Sequence, residues 1–329
     1  MCVCVCVCVC VCVYSGVNFL AMISISVLRY ECPSTTANTQ TACSTGYYSE
    51  GGRDACVQCP KGYSCPSIYS DAKFQCSPGY YALAGETSCT QCPAGQECPM
   101  TNTTGTACAT GYYSLGGQTS CTQCPAGYQC AVQTASPVIC GVGTYSAAGS
   151  DSCTNCDAGY LCREGSTQSN PPTGICSLGY YCTAGTTAAD PCQAGTYGST
   201  TGLTAQSDCK NCPQGYYCLE GTRGHPTSYL LCRKGTYCPT QTSMIDEHKC
   251  PAGTYNNKLG MVASSDCLAC PPGRYCPEGT DDPNHDNNVC PRGHYCPASS
   301  GSPTPCNAGT YTEETGATGI QFCKTCLAG

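Results

Sequence analysis

The sequence has no tryptophan, only three phenylalanines, and five methionines in 329 residues. Without large apolar side chains a chain of this length cannot fill the core of an ordinary globular domain. Of the 41% of residues counted as hydrophobic, the 40 cysteines and 24 tyrosines make up nearly half. Charge is scarce too, at 11%, with a formal net charge of −7. The 14 lysines and arginines are dispersed rather than clustered, which excludes the basic face that nucleic-acid binding requires. No Ser/His/Asp order, glycine-rich phosphate loop or metalloprotease motif occurs, so no enzymatic activity and no cofactor are expected. The one long uncharged stretch, residues 2–28, ends at Arg29. It is long enough to span a membrane, but it lacks the basic start and the small-residue cleavage site of a secretory signal.

What the sequence has in abundance is cysteine, about one residue in eight, with 38 glycines and 23 prolines. That usage marks a disulfide scaffold built of turns, in an oxidising compartment. An element beginning Cys-x-x-Gly recurs seventeen times from Cys43 onward, nearly always with Tyr one or two places after the Gly: CSTGYY at Cys43, CSPGYY at Cys76, CQAGTY at Cys192. One closing Cys follows each head at one of three spacings. Five residues intervene in nine elements, twelve in four and sixteen in three. Short elements follow long ones after two residues, which creates seven CxxC motifs.

The spacing divides the chain into the tail of a truncated repeat (30–42), three four-cysteine repeats (43–139), three six-cysteine repeats (140–305) and a further truncated repeat (306–329). From Cys140 each repeat gains one short element (at Cys176, Cys232 and Cys290) without leaving an odd cysteine. The simplest rule is that each head bonds its own closing Cys. It pairs Cys43 with Cys56, Cys59 with Cys65, Cys76 with Cys89, Cys92 with Cys98, Cys108 with Cys121, Cys124 with Cys130, Cys140 with Cys153 and Cys156 with Cys162. It continues with Cys176 and Cys182, Cys192 and Cys209, Cys212 and Cys218, Cys232 and Cys238, Cys250 and Cys267, Cys270 and Cys276, Cys290 and Cys296, and Cys306 and Cys323. The rival rule crosses first to third and second to fourth around each CxxC, and spacing alone does not choose.

Within one element the Gly suits a turn needing positive φ or close backbone approach, and the Tyr ring offers a flat surface to cover a neighbouring disulfide with its hydroxyl in water. The expected fold is small and disulfide-rich: a linear, semi-rigid array of short β-hairpin and turn modules with little helix. Repeats of 32 or 33 residues fall below the roughly 40 at which folding needs staples. Each bridge then supplies roughly 2–3 kcal/mol of loop closure in place of a core.

The pattern C-x-x-G-[TY]-Y followed by C-x-x-C-P-x-G-x-Y-C-P resembles the ephrin type A/B receptor-like cysteine-rich repeat of the growth-factor-receptor cysteine-rich superfamily, over residues 32–329. The first loop also resembles the opening of tumour-necrosis-factor-receptor modules, whose later spacing is not followed. The resemblance implies an extracellular stretch of a larger modular protein, in which such repeats stand beside EGF-like, CUB or adhesion modules. Nothing matches an ephrin-binding domain or a kinase.

Other chemistries meet plainer readings. The CxxC motifs have the spacing of half a zinc site, but the regular head and tail pairs favour disulfides, and thioredoxin-like redox work needs one CxxC at a helix start. His225, His248, His285 and His294 read as surface residues. Residues 281–288 (DDPNHDNN) carry calcium-loop ligand types, but Asn287 and Gly293 stand where that loop needs Gly and Glu. Asn102-Thr103-Thr104 is the sole N-x-[ST] sequon, a glycosylation acceptor if exposed.

The opening MCVCVCVCVCVCV alternates two residues whose codons, TGT and GTG, also spell a TG dinucleotide repeat. Strand formation is allowed by the alternation, but these six cysteines stand outside the repeat grammar and invite mispairing. The expectation is that residues 1–29 are non-coding sequence translated by a gene model, or otherwise a signal or anchor. Tyr30-Glu31-Cys32-Pro33 has the form of a closing half and Cys326-Leu-Ala-Gly329 that of a head, as if cut from a longer array. The expected function is a secreted or membrane-tethered extracellular spacer, adhesion or protein-interaction segment, and the alternative is the ligand-binding ectodomain of a signalling receptor. Protein partners are expected but unnamed, nucleic acid is not, and membrane association would come only through N-terminal or missing segments.

Overall fold

The structure, a computed structural model, describes residues 2–5, 9–12, 42–49, 55–66, 73–227 and 230–326. The expected signal or anchor stretch from residue 13 onward and the closing half at Cys32 lie outside them. Cys2–Val5 and Val9–Cys12 form an antiparallel pair with Cys2 opposite Cys12, as a period-two alternation allows whatever its origin.

From Cys43 the fold is a series of small disulfide-bonded hairpin modules with almost no helix. Every described bridge joins a head to its own closing cysteine, sixteen in all, with Cα atoms 5.6–6.2 Å apart. The head is a tight turn. In the Cys76 element the Tyr80 N–H donates to Ser77 O at 3.0 Å and Gly79 has φ +82°, the positive φ at the third position that a type II turn demands. The two residues after the turn then pair with the two before the next head: Tyr47–Tyr48 with Val57–Gln58, Tyr80–Tyr81 with Thr90–Gln91, Tyr128–Gln129 with Val138–Ile139. The middle residues of each CxxC described this way are thus a two-residue strand.

The long elements come in two sizes for a visible reason. Bridges such as Cys76–Cys89 span 13 positions and those such as Cys192–Cys209 span 17. The larger loops insert a single 3₁₀ turn just before the closing cysteine, at Gln206–Asp208, Ser264–Asp266 and Ile320–Phe322. In the first, Asp208 Oδ2 accepts from the Thr204 N–H at 2.8 Å, the Thr204 hydroxyl at 2.7 Å and the Ala205 N–H at 3.1 Å. Those bonds hold its carboxyl below its ordinary value of 3.8, the Thr204 hydroxyl contributing most. A carboxylate held down in this way adds stability above pH 3.8 and withdraws it as pH falls through the lower folded value. Amide exchange at Thr204 and Ala205 should therefore accelerate in acid below pH 3.8 while the neighbouring hairpin stays protected, and Asp208→Asn should bring the same loosening to neutral pH.

Within each of the two compact units, 1–140 with 145–153 and 165–167, and 141–144 with 154–164 and 168–329, backbone bonds tie each element to its neighbours. The N–H of each head cysteine donates to the carbonyl of the preceding head glycine, as Cys92 to Gly79, Cys124 to Gly111 and Cys270 to Gly253, at 2.8–2.9 Å. A second left-handed residue, nine or ten places after a long head or three after a short closing cysteine, donates back to the preceding head carbonyl: Gly117 to Cys92, Gly279 to Cys250 and Ser299 to Cys270, at 2.8–2.9 Å. The head glycine in turn lies against that second turn two elements further on. A Cβ on Gly79 would collide with Gly117 O, and one on Gly235 with Gly279 O.

At two of these second turns the left-handed residue is not glycine: Gln241 has φ +68° and Ser299 φ +61°. Ser299→Gly relieves a conformation that costs an L-residue roughly 1–2 kcal/mol, offset in part by the unfolded-chain freedom of glycine. The variant should gain about 0.5–1 kcal/mol in oxidised denaturation, and a loss would show that the serine hydroxyl matters there.

Candidate functional site

The chemistry the chain concentrates is the disulfide ladder and its tyrosine cover. In all nine short elements both half-cystines are at most 3% exposed. Closing cysteines of the long elements lie nearer the surface, Cys209 at 9% and Cys89, Cys121, Cys153 and Cys267 half-buried. Tyrosines roof the bridges of the following element. Tyr48 packs on Cys59 and Cys65 with Tyr63 alongside, Tyr181 on Cys192 and Cys209, and Tyr197 on Cys212 and Cys218 with Tyr216. In the long elements the place six after the head, which a closing cysteine takes in the short ones, holds a small buried residue: Ala82, Ser114, Ser146, Asn256 or Thr312.

Cations and rings decorate this cover. Lys73 Nζ lies 5.0 Å from the Tyr48 centroid and 5.6 Å from that of Tyr63, and the Arg223 guanidinium 5.7 Å from Tyr180. The histidines do more than face solvent, His285 Nδ1 accepting the Asn287 N–H at 3.3 Å and His294 Nδ1 lying 3.1 Å from Arg292 O. His225 meets Tyr197 and Tyr216 edge-on at 5.7 and 6.0 Å, and His248 stacks on Tyr237 at 5.5 Å. Nor are all tyrosine hydroxyls in water: that of Tyr275 donates to Asn287 O at 2.8 Å.

The CxxC motifs supply no paired thiolates. Cys121 is bonded to Cys108 and Cys124 to Cys130, and the same division holds along the chain up to Cys323, leaving Cys326 as a free, exposed thiol. Among the described residues no group of three His, Cys, Asp or Glu is placed to hold a metal ion. The 281–288 loop is closed by its own polymer bonds: Asn284 N–H to Asp282 Oδ1 at 2.8 Å, Asn288 Nδ2 to Asp282 O at 3.2 Å, and Arg274 Nη1 to Pro283 O at 2.9 Å. The Arg274 guanidinium also donates to His285 O at 3.2 Å, so two of the loop's carbonyls are already hydrogen-bonded.

A hollow of about 400 Å³ is lined by Thr110, Gly111, Asp151 and residues 130–134, and one of about 370 Å³ by Ile175, Ser177, Leu178, Thr201 and Arg223. The first is lined by the polar side chains of Thr110, Gln133, Thr134 and Asp151, and the second is mainly apolar. No helix among the described residues is long and apolar enough to cross a membrane. Asn102 stands exposed on the turn that follows Cys98.

The residues that sequence reasoning passed over are the second-turn glycines and their lids. Gln58, Gln91 and Gln123, each the last residue inside a CxxC, lie over Gly85, Gly117 and Gly149. The signal was present in the text, as Gly recurring nine places after a long head. No protein-family model matches the chain, and no curated protein matches it.

Proposed function

We propose that this chain is a non-enzymatic extracellular spacer: a run of ephrin type A/B receptor-like cysteine-rich repeats that holds apart, and presents, other parts of a larger surface or matrix protein. One observation carries the reading. The half-cystines from Cys43 to Cys323 are spent on closing loops, and the backbone groups around them are spent on neighbouring elements, which leaves a scaffold whose chemistry is all internal. Bridges of this density belong to an oxidising compartment. The hairpins and the cysteine spacing support the family reading.

The test is to stretch the full chain, secreted and oxidised, between handles, and to pass it over panels of soluble secreted proteins. A spacer should yield only the chain outside its disulfide loops, lengthen further on reduction, and bind nothing saturably. A soluble protein that binds one element saturably, and is lost when that element's surface residues are changed, would replace the spacer reading with that of a ligand-binding ectodomain.

A further inference from the structure

The sequence between Lys73 and Arg163 contains no basic residue, and its charges are Glu86, Glu97, Asp151 and Asp157. The same tract leaves large apolar side chains in water: Met100 at 57%, Leu115 at 55%, Val132 at 58% and Val138 at 57% exposed. A surface of this kind lacks the charged groups that ordinarily keep a protein hydrated and unassociated. The one sequon of the chain lies inside it.

We propose that Asn102 carries an N-linked glycan. The inference rests on the reading that the chain folds in the secretory pathway, and the geometry of the turn supplies the rest. Asn102, Thr103 and Thr104 are all exposed. The turn is held at its base, where Thr101 O accepts the Ala82 N–H at 3.0 Å, and Gly62 leaves room beneath the Asn102 stem. Three other asparagines are occupied: Asn256 Nδ2 donates to Thr236 O and Lys258 O at 3.1 and 3.0 Å, Asn211 Oδ1 accepts from Gln241 Nε2 at 2.9 Å, and Asn288 Nδ2 donates to Asp282 O at 3.2 Å. Among the described residues the Asn102 carboxamide and the Thr104 hydroxyl make no hydrogen bond, and both residues are exposed. The co-donor is an oligosaccharide linked through its anomeric carbon to a polyprenyl diphosphate. Asn102 Nδ2 forms the new bond to that carbon, the carbon–oxygen bond to the diphosphate breaks, the lipid diphosphate leaves with the electron pair, and one Nδ2 proton passes to base. No electron is transferred. The sugar then hydrates a tract that its own side chains leave bare.

The test is expression of the full chain in a eukaryotic cell behind an added cleavable secretory signal, with thiol labelling and intact mass read together. The expected product has its Cys43 to Cys323 cysteines oxidised and runs heavier by one glycan, which peptide N-glycosidase removes, leaving an aspartate at position 102. Because the tract offers trypsin no site, a Glu-specific protease after reduction should free the modified peptide beginning at Cys98. Asn102→Gln and Thr104→Ala should abolish the shift, and Thr104→Ser should retain it; since Thr104 is exposed and unbonded, these variants should secrete like the parent. Secretion of oxidised chain at its unmodified mass overturns the glycan and leaves the compartment reading standing. A chain retained with free thiols overturns the compartment reading and the site with it.

Discussion

Gly79→Ala is expected to unfold the hairpins around Cys76 and Cys92 at a cost of about 3 kcal/mol, roughly twice that of the same change at Gly293. Both glycines have positive φ, +82° and +77°, and placing any L-residue there costs roughly 1–2 kcal/mol. The difference lies in what the new methyl meets. At Gly79 it would run into the carbonyl of Gly117, a rigid backbone group, with the carbonyl carbon at 2.6 Å, whereas at Gly293 nothing lies within 4 Å. Overpacking against backbone adds roughly 1–3 kcal/mol. Amide protection at Cys92, which donates to Gly79 O at 2.8 Å, and at Gly117, which donates to Cys92 O at 2.8 Å, should collapse first. Equal losses at the two sites would show that close approach between alternate elements contributes nothing.

Removing one inner bridge should be as costly. Cys212 and Cys218 are fully buried beneath Tyr197, and four backbone bonds hang on them: Cys212 N–H to Gly195 O at 2.8 Å, Gln241 N–H to Cys212 O at 2.9 Å, Gly195 N–H to Cys218 O at 2.8 Å and Cys218 N–H to Thr242 O at 3.0 Å. The double change Cys212→Ser with Cys218→Ser removes a constraint worth roughly 2–5 kcal/mol in a small domain and puts two hydroxyls into an apolar pocket. Exchange protection should be lost at Gly195, Cys212, Cys218 and Gln241 while the amides of Cys92 and Cys108 remain slow, because contacts in repeat architectures are made between neighbours. Uniform loss along the chain would contradict that locality, and intact protection at Gln241 would contradict the role of the bridge.

Much of this was legible in the text of the sequence. Head glycines, closing cysteines and tyrosine cover all sit within a few residues of one another, and local chemistry dictates local turns. The 3₁₀ turn of the larger loops was written as Ser-Asp-Cys at 207–209 and 265–267, but a pattern built on cysteine spacing passes over what fills the spaces. The contact of Gly79 with Gly117 was not legible at all, since nothing at position 79 marks which of many later glycines it will touch. The buried Ser114 and Asn256 escaped notice for a related reason: each is a polar residue standing in a place that a cysteine occupies elsewhere, and only superposed elements reveal the equivalence.

The contact between alternate elements has a consequence of parity. From Cys43 to Cys153 long and short elements alternate strictly, so a step of two keeps kind with kind: Gly46 meets Gly85 and Gly79 meets Gly117, long upon long, while Gly95 meets Thr134, short upon short. Two columns result, one bearing only the wide loops and the other only the narrow ones. From Cys156 onward the repeat has three members but the step remains two, and the columns exchange partners: Gly159 of a short element meets Gly202 of a long one, and Gly195 of a long element meets Gln241 of a short one. A substitution repeated once per unit would thus line a single column in the first part of the chain and be dealt alternately to both columns in the second. Gaining one short element therefore does more than lengthen a repeat; it changes which kinds of element meet at each step of two.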